Sequence, residues 1–345
     1  MELQAEALTT LAILPDQTPQ EAVALLERAV ELAEAAGLLP QAGRAENNLG
    51  VIYVTRLGDL GSARGHYLRA AELGRQTGSL AEELLAGANA TSMALYQGLL
   101  ATTEQELLAL RQLQVALPDP GSAASNLSLL EAELLRYRGQ LTEAASRLEG
   151  LCAELAETGD LQRLEEVAAD LAEIQFERGK EREGEAVAHE AIRVSQQLYG
   201  TSIAPTSVLS AWYAGRGELE PAHSLLSQAR DEAAAAAQLT PLDAVMLSRA
   251  EAHLAAAEGR WPAALTAFEG LVGECRRIGA RWYAAWFTRE WVEALLARGE
   301  PGDRAQALSL LGLAAAEFEA IGAPYYAEQA NRRMDELASW VGPAR

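Results

Sequence analysis

The sequence predicts an all-α fold of about eight helical hairpins followed by a C-terminal capping helix. Three observations lead to this prediction. Ala, Leu, Glu, Arg and Gln dominate the 345 residues, and all five are strong helix formers. No short run is rich in Val, Ile and Thr and bounded by turn residues, so no strand is expected. Glycines recur with a period of about 40 residues, which indicates a repeat architecture.

Two sets of glycines divide each repeat into two helices. One set has successive spacings of 40, 41, 40, 38, 42 and 40 residues: Gly58, Gly98, Gly139, Gly179, Gly217, Gly259 and Gly299. The second set lies between these positions: Gly37, Gly78, Gly159, Gly200, Gly279 and Gly322. The segments PDPG at 118–121 and QLTP at 238–241 supply two further breaks. Because glycine adopts the positive φ that often ends a helix, each repeat is predicted to be helix, tight turn, helix.

The predicted repeats together form one superhelical domain over residues 1–345. They cover residues 2–38, 40–78, 80–118, 121–159, 160–200, 203–239, 241–279 and 281–322, with the cap at 324–341. Their second helices have apolar residues every three or four positions, which predicts burial of one face. Such stripes are Ala24, Leu25, Ala29, Leu32 and Ala36 in the first repeat, Ala63, Tyr67, Ala70 and Leu73 in the second, and Ala264, Phe268, Leu271 and Cys275 in the seventh.

The second repeat resembles the tetratricopeptide (TPR) motif. Its segment NLGVIY at 48–53 is followed by Gly58, Asp59, Ala63, Tyr67 and Ala70, and similar sets recur within 209–229 and 252–268. With its longer period, the chain resembles the sensor regions of bacterial STAND-type (maltose-regulon-activator-like) transcriptional regulators, and TPR receptors for signalling peptides. The resemblance implies a right-handed α-solenoid whose first helices line a concave groove. No nucleotide-binding P-loop is present in the sequence.

The charge of the chain excludes several functions. A net charge of −21 disfavours direct binding to nucleic acid or to an anionic membrane surface. No apolar run is long enough to span a bilayer. The N-terminus lacks the basic and small-residue features of a signal peptide. The expected location is therefore the cytoplasm.

No set of residues indicates catalysis, a metal or a cofactor. His66, His189, His223 and His253 lie in different repeats without a metal-binding spacing. Cys152 and Cys275 fall on the apolar stripes, where a thiol behaves as a small apolar side chain. The carboxylates are too numerous to single out an acid–base pair. We therefore expect a protein that is not an enzyme and that has no cofactor.

Asparagines occur at related positions on the predicted first helices. They are Asn47 and Asn48 in the second repeat, Asn89 in the third and Asn126 in the fourth. Asparagine is a poor helix former, and its amide both donates and accepts hydrogen bonds, as a peptide backbone does. These asparagines, which we call the asparagine ladder, hold a bound peptide, form hydrogen bonds between helices or face solvent.

The eighth repeat contains Trp282, Trp286 and Arg289 at helical spacing. Tryptophan and arginine often contribute most of the binding energy at interfaces, but these side chains would equally serve as an aromatic core. Arg44, Arg136, Arg249 and Arg289 lie on the predicted first helices of the second, fourth, seventh and eighth repeats. They would either clamp a carboxylate or pair with neighbouring glutamates.

The function predicted from these features is non-catalytic binding in the concave groove. The expected partner is a protein segment, a peptide or a small regulatory ligand, in signalling or transcriptional regulation. The alternative is a structural scaffold that assembles a homodimer or larger complex through its outer or C-terminal surface. The oligomeric state would separate the two hypotheses.

Overall fold

A computed structural model describes residues 2–14, 16–117, 122–236 and 238–339. The chain is 86 % helical, and the described residues contain no β-strand. In chain order the helices are α1 Glu2–Ala12, α2 Pro19–Ala35, α3 Leu39–Ile52, α4 Leu60–Thr77, α5 Leu80–Tyr96, α6 Leu100–Ala116, α7 Ser122–Tyr137, α8 Leu141–Thr158, α9 Leu161–Glu177, α10 Glu181–Tyr199, α11 Ile203–Gly215, α12 Leu219–Ala235, α13 Pro241–Ala257, α14 Trp261–Ile278, α15 Arg281–Arg298, α16 Asp303–Ile321 and α17 Pro324–Ser339.

The helices follow the predicted repeats. Successive pairs from α1/α2 to α15/α16 correspond to the eight predicted hairpins, and α17 corresponds to the predicted cap. The all-α, TPR-like solenoid class is confirmed. The QLTP segment separates α12 from α13 as predicted. The PDPG break at 118–121 and residues 340–341 of the predicted cap lie outside the described residues.

The glycine prediction holds at every position that it named. All thirteen glycines of the two sets have a φ between 62° and 85°. At Gly139, in the turn between α7 and α8, a side chain would also have no room. A Cβ at this position would lie 2.1 Å from Cγ of Tyr325 on α17. Gly139 therefore allows the α7–α8 turn to approach α17 closely.

The buried stripes are predicted correctly in two of the three helices named. Ala63, Tyr67, Ala70 and Leu73 are buried in α4, and so are Ala264, Phe268, Leu271 and Cys275 in α14. In α2 the buried residues are instead Ala22, Leu26, Ala29 and Ala33, while Ala24 is exposed. Alanine and leucine fill two overlapping stripes of α2, so the sequence pattern does not decide which one faces inward.

One local feature was not predicted. After Ile52 the backbone continues as a π-helical segment, Tyr53–Leu57, which ends at Gly58 with a left-handed φ of 62°. The Tyr53 ring stacks on His66 at a centroid distance of 5.1 Å, and Arg56 donates to the carbonyl of Gln17 at 3.2 Å. These contacts hold the π-helical segment to α4 and to the loop between α1 and α2.

The chain forms two compact units. Unit 1 comprises residues 1–131 with 237–241, and unit 2 comprises residues 132–236 with 242–345. A core in unit 1 packs Leu26, Ala29 and Leu49. A core in unit 2 packs Leu209, Leu226 and Leu254. The single domain over 1–345 stays a prediction.

Candidate functional site

Unit 2 contains a cavity of about 460 Å³ that is lined mainly by residues of its first helices. We call it the unit 2 cavity. The helices α7, α9, α11, α13, α15 and α17 all contribute to its walls. Its aromatic and arginine side chains are Phe176, Trp212, Trp286, Tyr325, Arg136, Arg216, Arg249 and Arg289. Apolar surface beside a few polar groups is typical of a ligand pocket.

The open space lies next to α11, which is only 13 residues long. This helix presents Ala211 and Gly215 to the cavity, and these two residues have little or no side chain. Its larger Trp212 stacks on Phe176 of α9 at 4.5 Å, with the Arg216 guanidinium 4.9 Å from the Trp212 ring. Small residues on α11 therefore leave room, while Trp212 forms an aromatic wall.

An ionic network fixes one side of the cavity. Arg136 bonds Glu173 and Glu177, each at 2.9 Å. Arg249 bonds Glu173 at 2.7 Å and also reaches Glu290 with two nitrogens, at 2.6 and 3.0 Å. Glu173 of α9 thus connects arginines from α7 and α13. Such charge-assisted bonds are short and directional, so the walls are held in place.

The network lowers the pKa values of Glu290 and Glu173. Burial alone would raise the pKa of Glu290, but Arg249 and His253 outweigh it and hold that pKa well below its usual range. The His253 ring contacts this carboxylate directly, with Nε2 2.9 Å from Glu290 Oε2. Burial likewise opposes ionisation of Glu173, yet Arg136 and Arg249 lower its pKa. Both carboxylates are therefore ionised at neutral pH.

Two other buried acids, both on α9, have raised pKa values instead. Burial raises the pKa of Asp170 to about 7, and the nearby carboxylates add to the shift against the opposing effect of Arg136. Burial and the adjacent Glu166 raise the pKa of Glu165 to about 7 as well. These groups lack the two strong arginine partners that Glu173 has. Unit 2 therefore contains acids that change protonation near neutral pH.

Aromatic rings stack behind the cavity wall. Trp282 is fully buried and lies between Tyr137, at a centroid distance of 4.3 Å, and Trp286, at 5.2 Å. The Arg136 guanidinium is 5.1 Å from the Trp282 ring. Tyr326 meets both tryptophans edge-on, at 5.7 and 5.8 Å. Stacked and edge-on rings of this kind stabilise a packed core beyond their area of contact.

Helix α17 is tied to helices much earlier in the chain. The Tyr326 hydroxyl lies 2.6 Å from Glu177 Oε1 and 2.8 Å from the carbonyl oxygen of Arg136. These contacts join α17 to α9 and α7, across 149 and 190 residues of sequence. The predicted cap therefore also forms a wall of the cavity, through Tyr325 and Gln329.

Five of the candidate residues fall in unit 2, and four of them line the cavity. Arg136, Arg249, Trp286 and Arg289 are in its walls. Trp282, a candidate for either the groove or an aromatic core, is enclosed by neighbouring rings and does not line the cavity. Tyr137 stacks on one face of its ring, and Trp282 contacts the cavity walls through Trp286 and Arg136. Arg249 follows the second alternative given for the arginines, since it pairs with glutamates.

The other five predicted residues fall in unit 1. Asn89 donates to Asn47 at 3.2 Å, so this pair of the asparagine ladder forms a hydrogen bond between helices. Asn47 and the exposed Arg44 line a small cavity of about 150 Å³. Asn48 is half-buried. Asn126 is buried, and its side-chain oxygen has no hydrogen-bond partner.

Sequence reasoning missed the partners of the arginines. Glu173, Glu177 and Glu290 were not singled out among 49 acidic residues. A usable signal was present, because the bonded partners often lie one repeat apart. Arg136 and Glu177 are 41 residues apart, and so are Arg249 and Glu290. A search for opposite charges at the repeat spacing would have found both pairs.

The two cysteines are not reactive nucleophiles. Burial raises the pKa of Cys152 to about 11 and that of Cys275 to about 12, so neither thiol is activated as a nucleophile. Among the described residues, no helix is both long and apolar enough to cross a bilayer.

Comparisons with known proteins identify the fold. No protein-family profile matches the sequence, and no curated protein matches it. The chain is similar to the crystal structure of a Rap protein complexed with Competence and Sporulation Factor, at 11 % identity and a TM-score of 0.58, covering 98 % of this chain and 97 % of that one. It is also similar to aspartyl phosphate phosphatase F from Bacillus subtilis, at 11 % identity and a TM-score of 0.53, covering 93 % and 77 %. At this identity the likeness shows a shared fold.

Proposed function

We propose that this chain is a non-catalytic, TPR-like binding protein whose unit 2 cavity holds a short peptide or protein segment, or a small regulatory ligand. The observation that carries the proposal is the cavity itself. Its volume of about 460 Å³ is bordered by residues of seven helices, among them aromatic and hydrogen-bonding side chains. Cavities of this size and lining accommodate small ligands and short peptide segments.

The walls are organised before any ligand arrives. Trp286 donates its indole N–H to Glu290 at 3.0 Å, and Glu290 is held by Arg249 and His253. A side chain that is already fixed loses little conformational entropy on binding. The ionic network therefore supports ligand binding indirectly, because it holds Trp286 in position.

The likeness to the Rap protein supports this use of the fold. That protein's crystal structure is a complex with Competence and Sporulation Factor, so a protein of this fold can hold such a factor. We therefore include in the proposal a role as a sensor in signalling or transcriptional regulation. The resemblance to sensor regions of STAND-type regulators belongs to the same proposal.

A binding role fits the state of the charged groups better than catalysis does. Glu173, Glu177 and Glu290 are each engaged by arginines, which makes them poor bases or nucleophiles. The second structural neighbour is named a phosphatase, and that activity is a property of that protein. We propose that the charged residues of unit 2 organise a binding site.

A second contact region is proposed in unit 1. The bond from Asn89 to Asn47 uses one donor and one acceptor of the pair. Each amide has further hydrogen-bonding capacity, and Arg44 lies exposed beside them. These groups would contact a peptide backbone, with Asn48 and Asn126 as neighbours on the same predicted ladder.

The proposal is tested by affinity selection from a pool of random pentapeptides. We expect the wild-type protein to retain specific peptides, and Trp286→Ala to weaken their binding by at least about 2 kcal/mol, as truncation of an interface anchor does. Trp261→Ala is the matched control, because Trp261 is also half-buried but does not line the cavity. Failure of wild-type protein to retain any peptide, or equal loss in both variants, would contradict the proposal.

The alternative, a scaffold that assembles a homodimer or larger complex, has one supporting observation. Leu108 and Val115 on α6 are 66 % and 87 % exposed. Apolar side chains of this size on a surface are typical of an interaction site when they are contiguous. A solution mass of twice the monomer that reverts in a Leu108→Glu and Val115→Glu double variant would favour the scaffold.

A further inference from the structure

Unit 2 contains another cavity, which shares a wall with the first. This side cavity also has a volume of about 460 Å³, and it lies between α15, α16 and α17. Trp286, Arg289 and Gln329 line both cavities. Arg289 Nη2 donates to the Gln329 side-chain oxygen at 3.1 Å. The shared wall is therefore one tryptophan and one hydrogen-bonded pair.

Arg289 differs from every other arginine that lines these two cavities. Five of the six have a carboxylate partner: Arg136 with Glu173, Arg216 with Glu181, Arg249 with Glu290, Arg332 with Glu328, and Arg333 with Glu293. The hydrogen bond of Arg289 goes to the neutral amide of Gln329. Its Nη1 is buried and has no hydrogen-bond partner. A buried donor of this kind is unfavourable until an acceptor reaches it.

The position of Arg289 is set by a chain of contacts. Its guanidinium lies 5.0 Å from the Trp286 ring and 5.9 Å from the Tyr326 ring. The Trp286 indole is bonded to Glu290, which is bonded to Arg249. A guanidinium that stacks on an aromatic face keeps its N–H groups directed along its own plane, toward an acceptor at its edge.

We infer that Arg289 binds a carboxylate of the ligand, an inference that rests on the proposed binding function of the unit 2 cavity. The planar fork of a guanidinium matches the two oxygens of a carboxylate. The ligand would supply the anionic partner that the other five arginines obtain from the chain. Its apolar part would then lie against the aromatic wall formed by Trp286 and Trp212.

The overall charge of the protein does not oppose this assignment. A net charge of −21 repels anions at long range, but salt screens charges separated by more than about 8 Å. The glutamates that line the two cavities already have arginine partners: Glu173 and Glu177 pair with Arg136, Glu290 pairs with Arg249, and Glu293 and Glu336 pair with Arg333. The local interaction at Arg289 therefore decides whether a carboxylate is bound.

Two sources of a carboxylate are compatible with this site, namely the C-terminus of a peptide and an acidic side chain within one. Three pools of random pentapeptides separate them. The first has free C-termini and no Asp or Glu, the second is the same pool with amidated C-termini, and the third is amidated and contains one Glu. Each pool is offered to wild-type protein, and retained peptides are identified by mass spectrometry.

We expect the first or the third pool to bind at least about tenfold more tightly than the second, the usual gain from a hydrogen-bonded charge. In Arg289→Gln this preference should vanish. Arg289→Lys keeps the positive charge and should keep part of the preference. Arg281→Gln is the matched control, because Arg281 is on the same helix and pairs with Glu317 outside both cavities. Circular dichroism establishes that each variant is folded.

Two results would overturn the inference, and they can be told apart. If wild-type protein binds all three pools equally, or if Arg289→Gln keeps the preference, the site binds peptides without using a carboxylate. If no pool is retained, the proposed function fails, and the inference fails with it. The comparison among wild-type pools does not depend on any variant, so it decides the question even if Arg289→Gln does not fold.

Discussion

The two units use the same hairpin for different kinds of interior. In unit 1 the inner first helices carry neutral amides and small side chains, and the Asn89–Asn47 bond joins positions 42 residues apart. In unit 2 the first helices carry large aromatic rings and arginines. Arg249 reaches Glu173 across 76 residues, and Tyr326 reaches the Arg136 carbonyl across 190.

Long aromatic and arginine side chains therefore change how a solenoid unit is held together. Stacked repeats are usually stabilised by nearest neighbours alone. The long side chains of unit 2 add contacts between repeats that are far apart in sequence. We therefore expect unit 2 to unfold as one cooperative block, and unit 1 to respond to substitutions more locally. Four predictions test this comparison.

Substitution of Arg136 should have the largest effect. Arg136→Met would leave Glu173 and Glu177 with one strong partner fewer in a buried setting, at a cost of about 3–5 kcal/mol in the free energy of unfolding. Urea denaturation measures the loss, and hydrogen exchange should accelerate in α9, α15 and α17 together. The matched control in unit 1 is Arg111→Met, whose half-exposed pair with Glu131 should contribute at most about 1 kcal/mol. Similar losses of unfolding free energy in the two variants would contradict the proposed difference between unit 1 and unit 2.

Removal of one hydroxyl from α17 should have a smaller effect of the same kind. Tyr326→Phe keeps the ring but removes the contacts with Glu177 and the Arg136 carbonyl, which should destabilise unit 2 by about 1–2 kcal/mol. We expect faster hydrogen exchange throughout α17. Tyr325→Phe is the control, since that side chain is 36 % exposed. Unchanged exchange in Tyr326→Phe would show that α17 is held by its apolar face alone.

The stability of unit 2 should also depend on pH through Asp170. Its pKa is raised to about 7 from an ordinary value of 3.8, so between pH 4 and pH 7 the folded state binds more protons than the unfolded state. Stability from this group is therefore lost as the pH rises through that window. Asp170→Asn should raise the melting temperature at pH 8 by roughly a few degrees and change it little at pH 4. The exposed Asp335→Asn is the control, and a uniform shift at both pH values would contradict the assignment.

The smallest effect on stability is expected in unit 1. Asn47→Ala and Asn89→Ala each remove one half-buried hydrogen bond but replace a poor helix former with a better one. We expect the free energy of unfolding to change by less than about 0.5 kcal/mol. If the amides hold a peptide backbone, binding should weaken by about 1–2 kcal/mol. A clear loss of thermal stability without loss of binding would show that the Asn47–Asn89 pair is structural.

The sequence predicts the helix boundaries well because their cause is local. A glycine at positive φ ends a helix whatever lies around it, and all thirteen glycines named from the repeat have that conformation. The buried face of α2 is less predictable, since alanine is compatible with either side. Packing against neighbouring helices, and not the α2 pattern, decides that Leu26 is buried while Ala24 is exposed.

The candidate site could be predicted only in part, for a related reason. Trp286 and Arg289 stand out by residue type, and both line the cavity. The burial of Trp282 depends on Tyr137, which lies four repeats earlier and stacks flat on its ring. The periodic pattern of the sequence does not indicate which distant repeats are in contact. The same limit hid the contact between Glu173 and Arg249, which are two repeats apart.

The bond between Tyr326 and the Arg136 carbonyl also sets an order of events during synthesis. The ribosome adds about 5–20 residues per second and lets N-terminal segments fold first, so the 190 residues that separate the two partners take about 10–40 s to make. Throughout that interval the aromatic and charged faces of α7 and α9 lack the tyrosine that covers them. Nascent unit 2 is therefore exposed to chaperones and to aggregation for longer than helices α1–α6 of unit 1, which find their partners within about one repeat of being made.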